Sequence, residues 1–145
     1  MKTSQKGIDL IKEFEGFRPS AYRCPSGILT LGYGHTQNVR CSDVVTPYEA
    51  EILLKKDLAE AERAVNTLVK THISQNQFDA LVSFVFNVGI GNFLTSTLLK
   101  RVNENPNDKI IRDAFMMWVK SRGVILKGLV RRRTCEADLY FTKSE

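Results

Sequence analysis

Phe14-Glu15-Gly16-Phe17-Arg18-Pro19-Ser20-Ala21-Tyr22-Arg23-Cys24-Pro25-Ser26-Gly27-Ile28-Leu29-Thr30-Leu31-Gly32-Tyr33-Gly34-His35 is the stretch in which the chain changes period. Before it, Ile8, Leu10, Ile11 and Phe14 recur at helical spacing, which predicts a helix over 3–15 that stops at Gly16. Within it, Pro19, Pro25, Gly27, Gly32 and Gly34 punctuate two short β-type runs, Ala21–Cys24 and Ile28–Tyr33. These form the only strong strand signal in the sequence. A polar loop follows over 36–45.

Downstream the signals are helical. Thr46-Pro47-Tyr48-Glu49 combines a capping threonine, a proline at the first helical position and a capping-box glutamate. One long helix is expected from there to about Val69, with Leu54, Leu58, Ala61, Val65 and Leu68 on its apolar stripe. Ser74-Gln75-Asn76-Gln77 is a second capping box, and Phe78–Val88, apolar nearly all round, predicts the buried centre of a bundle. Further helices are expected at about 93–103, 108–120 and 129–141, with Gly123 and Gly128 as interruptions. The fold class is α+β. A small β-hairpin or meander lobe is joined by a long helix to a helical bundle, and a cleft is expected where the two meet. The chain is taken as one domain, 1–145, with 16–58 as the small lobe and 1–15 plus 59–145 as the helical lobe.

The chain has 145 residues, 43% hydrophobic and 26% charged, with a net charge of +5 and a pI near 9.2. That is an ordinary globular composition, and the basic balance favours an anionic partner without choosing one. No apolar run approaches the roughly 18–20 residues of a membrane span, and Met1–Gly7 lacks the apolar core of a secretory signal. No stable membrane anchor and a cytoplasmic start are therefore expected. Three cysteines, Cys24, Cys41 and Cys135, make an odd count that argues against a disulfide framework. The spacing of Cys24, His35 and Cys41 does not suit zinc, and neither metal nor cofactor is expected.

Glu15 continues the apolar face of Ile8 and Ile11 at the C-terminal end of the first helix. Desolvation and the helix dipole there should disfavour its charged form, as a general acid requires, although from the helix alone a glutamate that reaches solvent or pairs with an arginine such as Arg18 is the plainer reading. If Pro25-Ser26-Gly27 is a three-residue loop, Tyr22 lies opposite Thr30. Cys24 and Thr30 then become diagonal neighbours on one face.

Glu15, eight residues, Cys24, five residues, Thr30, followed by Gly32-Tyr33-Gly34-His35, resembles the signature of the phage-type lysozymes, glycoside hydrolase family 24. The likeness extends over Thr46–Glu51 with Leu54 and Asp57, Asn76–Leu81 with Phe86–Gly89, Phe93 with Ser96–Leu98, and Gly128–Glu136. The resemblance implies a lysozyme-like fold and an endolysin that hydrolyses the β-1,4 bond between N-acetylmuramic acid and N-acetylglucosamine in peptidoglycan. It implies Glu15 as general acid, with Cys24 and Thr30 positioning or activating water in an inverting scheme. Cys24 stands where many members carry Asp, so its part as base, stabiliser or nucleophile stays open. Some relatives with a Cys there are regulated by a disulfide, and a Cys24–Cys41 bond is the corresponding possibility here.

By the same resemblance, Thr36, Phe86, Asn87, Ser96 and Thr97 fall near the substrate, with core packing and capping as the alternatives. His35 and Asp57 form a structural pair. A monomer that leaves the host cytoplasm through a separate holin is implied. Arg131-Arg132-Arg133 is the densest charge run. It reads as a solvated helix face, or as arginines that approach Glu15 or the anionic wall. Without interleaved aromatics it is a weak nucleic-acid patch, so no nucleic-acid partner is expected. The rival functions are an inactive wall-binding module, a cysteine hydrolase using Cys24 and His35, and a basic nucleic-acid binder.

Overall fold

A computed structural model describes residues 1–143. The chain divides into two compact units, Ile8–Ala59 and Met1–Gly7 together with the residues from Glu60 onward.

The first unit begins with most of α1 (Gln5–Glu15), on which Ile8 and Ile11 are buried. The helix stops at Gly16, whose N–H donates to the Lys12 carbonyl at 2.9 Å. Strands β1 (Arg18–Arg23) and β2 (Leu29–Gly32) pair antiparallel, with Tyr22 opposite Thr30 and Arg23 opposite Leu29. The connection is the expected three-residue loop. Cys24 N–H donates to Ile28 O at 2.9 Å and Gly27 N–H to Cys24 O at 2.8 Å, with Gly27 at φ +83°. β1 starts earlier than the sequence suggests. Pro19 is tolerated because the register shifts between Arg18 and Tyr22. The polar loop also returns to this edge, where Ser20 bridges Val44 and Val45 N–H donates to Pro19 O.

α2 (Pro47–Asp57) carries the complete Thr46/Glu49 capping box. Ala50 packs with Leu31 and Val45 into a small core flanked by Phe17, Tyr33 and Leu53. The single long helix expected to Val69 is instead two, α2 and α3 (Ala59–Leu68). Between them Leu58 keeps helical dihedrals, but its N–H is shared between Leu54 O and Lys56 O, so the ladder tightens for one residue.

In the second unit, α4 (Gln75–Val88) starts at the Ser74/Gln77 capping box and is buried on every side from Asn76 to Val85. The N-terminal segment is tied to it: Ser4 donates to Asp79 through both its N–H and its hydroxyl. Phe84 on α4 meets Phe93, Phe115 and Trp118 edge-on, with ring centroids 5.7–6.2 Å apart. The helix expected over 93–103 is two, α5 (Ile90–Leu94) and α6 (Thr97–Glu104). The break falls there because the Ser96 hydroxyl accepts the Leu99 N–H and starts a new helix. α7 (Ile111–Met116) is shorter than expected. A second hairpin, β3 (Lys120–Ser121) and β4 (Val124–Ile125), occupies the stretch assigned to its end and to an interruption. Gly128 does not interrupt anything. It lies inside α8 (Lys127–Phe141), which packs along α4.

Candidate active site

Glu15 closes α1 and is half-buried. After β2 the chain turns sharply through Gly32-Tyr33-Gly34, and Leu31 and His35 exchange two backbone hydrogen bonds of 2.8 and 2.9 Å. The turn needs φ of +65° at Gly32 and +84° at Gly34, which L side chains adopt only at a cost. It also brings the backbone under the acid: a Cβ placed on Gly34 would sit 3.6 Å from Glu15 Oε2. A glycine at this position keeps a side chain away from that carboxyl.

The same turn places His35 so that its Nδ1 lies 2.8 Å from Asp57 Oδ2, at the end of α2. Lys12 pairs with Glu51, and its ammonium lies 5.4 Å from the centre of the Tyr33 ring. Hydrogen bonding to Glu51 raises the Lys12 pKa, although burial acts against it. These contacts tie α1, the glycine turn and α2 together around Glu15.

Cys24 and Thr30 lie at the turn end of the hairpin. Thr30 is buried, and its hydroxyl donates to Ile28 O at 3.0 Å. Cys24 is half-buried, with Sγ 2.9 Å from Ser26 Oγ. Donors converge on that sulfur. The Ser26 hydroxyl acts most strongly, then the Ile28 backbone. The Ser26 backbone and the Thr30 hydroxyl add less, and together they outweigh desolvation. The thiol is pushed down from 9.0 to about 7. The charged form is favoured because hydrogen bonds to it are made at no further cost in ordering: three of the donors belong to the hairpin turn itself. Sequence reasoning places Ser26 in the loop but gives it no part in the chemistry. The signal for it was its place two residues after Cys24 inside the turn.

The remaining candidates are divided between the two units. Thr36 is exposed just beyond His35. On the second unit, Phe86 is half-buried and Asn87 exposed at the end of α4. Ser96 is buried, and its hydroxyl proton is committed to Phe93 O at 2.7 Å. Thr97 is half-buried at the first position of α6.

The arginine run is not a solvated face. Only Arg131 is exposed, whereas Arg132 and Arg133 are buried with Glu136. Arg133 Nη1 meets Glu136 Oε1 at 2.5 Å, Arg132 Nε meets Oε2 at 3.2 Å, and the Ser83 hydroxyl donates to Oε2 at 2.5 Å. Arg133 also donates to the Trp118 carbonyl and to Asn87 Oδ1. Burial lowers the Arg133 pKa while Glu136 raises it, and burial prevails. A helix face that packs on α4 must carry its charges in matched form.

Among the described residues, no group of three or more His, Cys, Asp or Glu side chains converges as a metal site. No described helix is long and apolar enough to cross a membrane.

The family model for phage lysozyme matches residues 12–136. The endolysin of Acyrthosiphon pisum secondary endosymbiont phage 1 is 43% identical over 144 residues, 97% of this chain and 98% of that protein. The endolysin of Bacillus phage B103 is 43% identical over 145 residues, and there this chain spans 55% of the relative's length. Among solved structures, the muramidase domain of SpmX from Asticaccaulis excentricus superposes with a TM-score of 0.92 at 44% identity, covering 98% of this chain and 99% of that one.

Proposed function

This chain belongs to the phage lysozyme family and has its lysozyme-like fold, and on that premise we propose that it is an inverting N-acetylmuramidase with Glu15 as its general acid. The bond cleaved is the β-1,4 link between N-acetylmuramic acid and N-acetylglucosamine in peptidoglycan. The observation that carries the reading is the arrangement on the first unit. The hairpin register puts Cys24 beside Thr30, and the glycine turn four residues on lies against the Glu15 carboxyl.

Glu15 gives its proton to the glycosidic oxygen as the bond to the anomeric carbon breaks. A water held by the Thr30 hydroxyl attacks from the opposite side. Its proton passes to the Cys24 thiolate, which the hairpin donors keep populated near neutral pH. Exchange with solvent then restores both groups. His35 and Asp57 fix the glycine turn and do not exchange protons with the sugar. Thr36, Phe86, Asn87 and Thr97 contact the glycan, and Ser96 serves by starting α6. Arg133 donating to Asn87 Oδ1 turns the amide so that its N–H groups are left for a sugar acceptor. The likeness to the muramidase domain of SpmX supports this reading. In this reading the chain acts as a monomer, accumulates in the host cytoplasm and reaches the wall through a separate holin-type protein.

Reducing-end analysis of digested peptidoglycan tests the proposal. The parent should release new muramic acid reducing ends, first as the α-anomer. Glu15→Gln should lower the rate by about 10²–10⁴-fold at an unchanged melting temperature. Release of peptides without reducing ends, or a fully active Glu15→Gln protein, would overturn it.

A further inference from the structure

From Asp113 to Glu136 the sequence holds six basic residues and no acidic one between those two. Arg132 and Arg133 are consumed by Glu136. Lys120, Arg122 and Lys127 are exposed on the β3–β4 hairpin and the start of α8, and none is in an ion pair among the described residues. The same short segment holds the densest group of exposed aliphatic side chains in the second unit. Val124 is 61% exposed and Ile125 60%, with Leu126 and Met117 also in solvent.

The pairing puts one exposed aliphatic side chain on each face of this hairpin. Lys120 stands opposite Ile125, and Ser121 opposite Val124. Val124 and Ile125 are neighbours on one strand and so point to opposite faces, yet both lie in water. An isolated two-stranded ribbon gains no core from such residues.

The tip adds an independent sign. Arg122 and Gly123 are the two central residues of the turn, at φ +51° and +79°. A two-residue turn with both φ positive is best served by Asn-Gly or Gly-Gly. An arginine there holds a guanidinium at the outermost point of the hairpin against the local backbone preference, as residues do when something beyond the fold requires them.

From the charge, the apolar flanks and the strained tip, we infer that the β3–β4 hairpin is a docking element for an anionic lipid surface. Cations at the tip and base meet headgroup phosphates, while Val124, Ile125, Leu126 and Met117 enter the boundary between headgroups and acyl chains. Contact is peripheral and reversible. Wall polymers and nucleic acids share the negative charge but offer no apolar phase for the aliphatic side chains. A second copy of the chain would set like charges against each other.

The experiment is co-sedimentation of the whole protein with vesicles. One set is phosphatidylcholine with about one-third phosphatidylglycerol, and the other is phosphatidylcholine alone. Binding is expected only to the anionic set. It should fall about fivefold for each of Lys120→Gln and Arg122→Gln, the attraction of one charge to such a surface. It should fall about tenfold or more for the double variant Val124→Ser, Ile125→Ser. All these positions are exposed, so melting temperature and hydrolysis of soluble glycan fragments should match the parent. Equal binding to both vesicle sets, or no binding, would overturn the inference. So would charge variants that weaken binding while the serine variant does not, which would indicate a purely electrostatic polymer site. Concentration-dependent dimers that disappear in the serine variant would indicate a second copy instead. A failure of glycan hydrolysis would count against the muramidase reading and leave this result untouched.

Discussion

Removing one hydroxyl, in Ser26→Ala, should make Cys24 a poorer acid without disturbing the hairpin. The parent thiol lies about two units below its usual 9.0, at about 7. At pH 7 about half of Cys24 is therefore thiolate, against about one hundredth for an unperturbed thiol of that value. The ceiling on the effect of the turn is thus about fiftyfold in thiolate population at neutral pH. Ser26 Oγ, 2.9 Å from Sγ, is the largest contributor, and the Ile28 backbone remains when it is lost. The Ser26→Ala midpoint should consequently lie between 7 and 9, and the thiolate population at pH 7 should fall by roughly three- to thirtyfold. Part of the loss in rate is offset because a more basic thiolate is a better nucleophile. The midpoint is therefore the quantity to compare. The assay is iodoacetamide alkylation of Cys24 as a function of pH, followed by mass spectrometry of the peptide so that Cys41 and Cys135 do not contribute. The sign is fixed: a donor to the thiolate lowers the pKa, so its removal must move the midpoint upward. If Cys24 is the base, muramidase activity at pH 7 should decline with it. A parent midpoint near 9, or identical midpoints in parent and variant, would show that the Ser26 hydroxyl does not lower the Cys24 pKa.

Cys24→Asp should preserve turnover, abolish inhibition by iodoacetamide and extend activity to lower pH, because a carboxylate stays ionised well below 7; a pH–rate profile of both proteins checks this. Glu136→Gln leaves Arg132 and Arg133 buried without their counter-ion. It should cost about 3–5 kcal/mol, read as a drop of roughly ten degrees or more in the melting temperature. Gly34→Ala forces a side chain to φ +84° and sets a methyl 3.6 Å from Glu15 Oε2. It should lose about 1 kcal/mol of stability and, separately, catalytic rate. Gly123→Ala, at φ +79° with nothing within 4 Å, should show comparable strain and keep parental turnover on soluble glycan; urea unfolding beside kinetics separates the two effects.

Much of the fold and part of the candidate site follow from local rules. The stop at Gly16, the capping boxes at Thr46 and Ser74 and the three-residue turn at Pro25-Ser26-Gly27 each depend on residues within four positions of one another. Once the turn length is known, the register puts Cys24 and Thr30 on one face, because side chains alternate along a strand. Phe78–Val88, apolar nearly all round and preceded by a capping box, reads as a buried helix.

Other features were settled by groups distant in sequence. Three consecutive arginines look solvated until α8 packs on α4 and two of them are enclosed with Glu136 and Ser83. A solvated run and a buried ion cluster have the same local sequence, since the difference lies in what covers them. The β3–β4 hairpin escaped notice because two-residue strands carry no alternation and Arg-Gly is a poor turn signal. The shift of the Cys24 thiol rests on donors within six residues, but on their geometry rather than their presence. Composition shows that a serine is near, and only the folded turn aims its hydroxyl at the sulfur. Local sequence therefore fixes the first helix, the caps at Thr46 and Ser74, the buried α4 and the register of the first hairpin, which are short-range. Which charges are buried was settled by tertiary packing, because desolvation exists only after distant segments such as α4 and α8 have met.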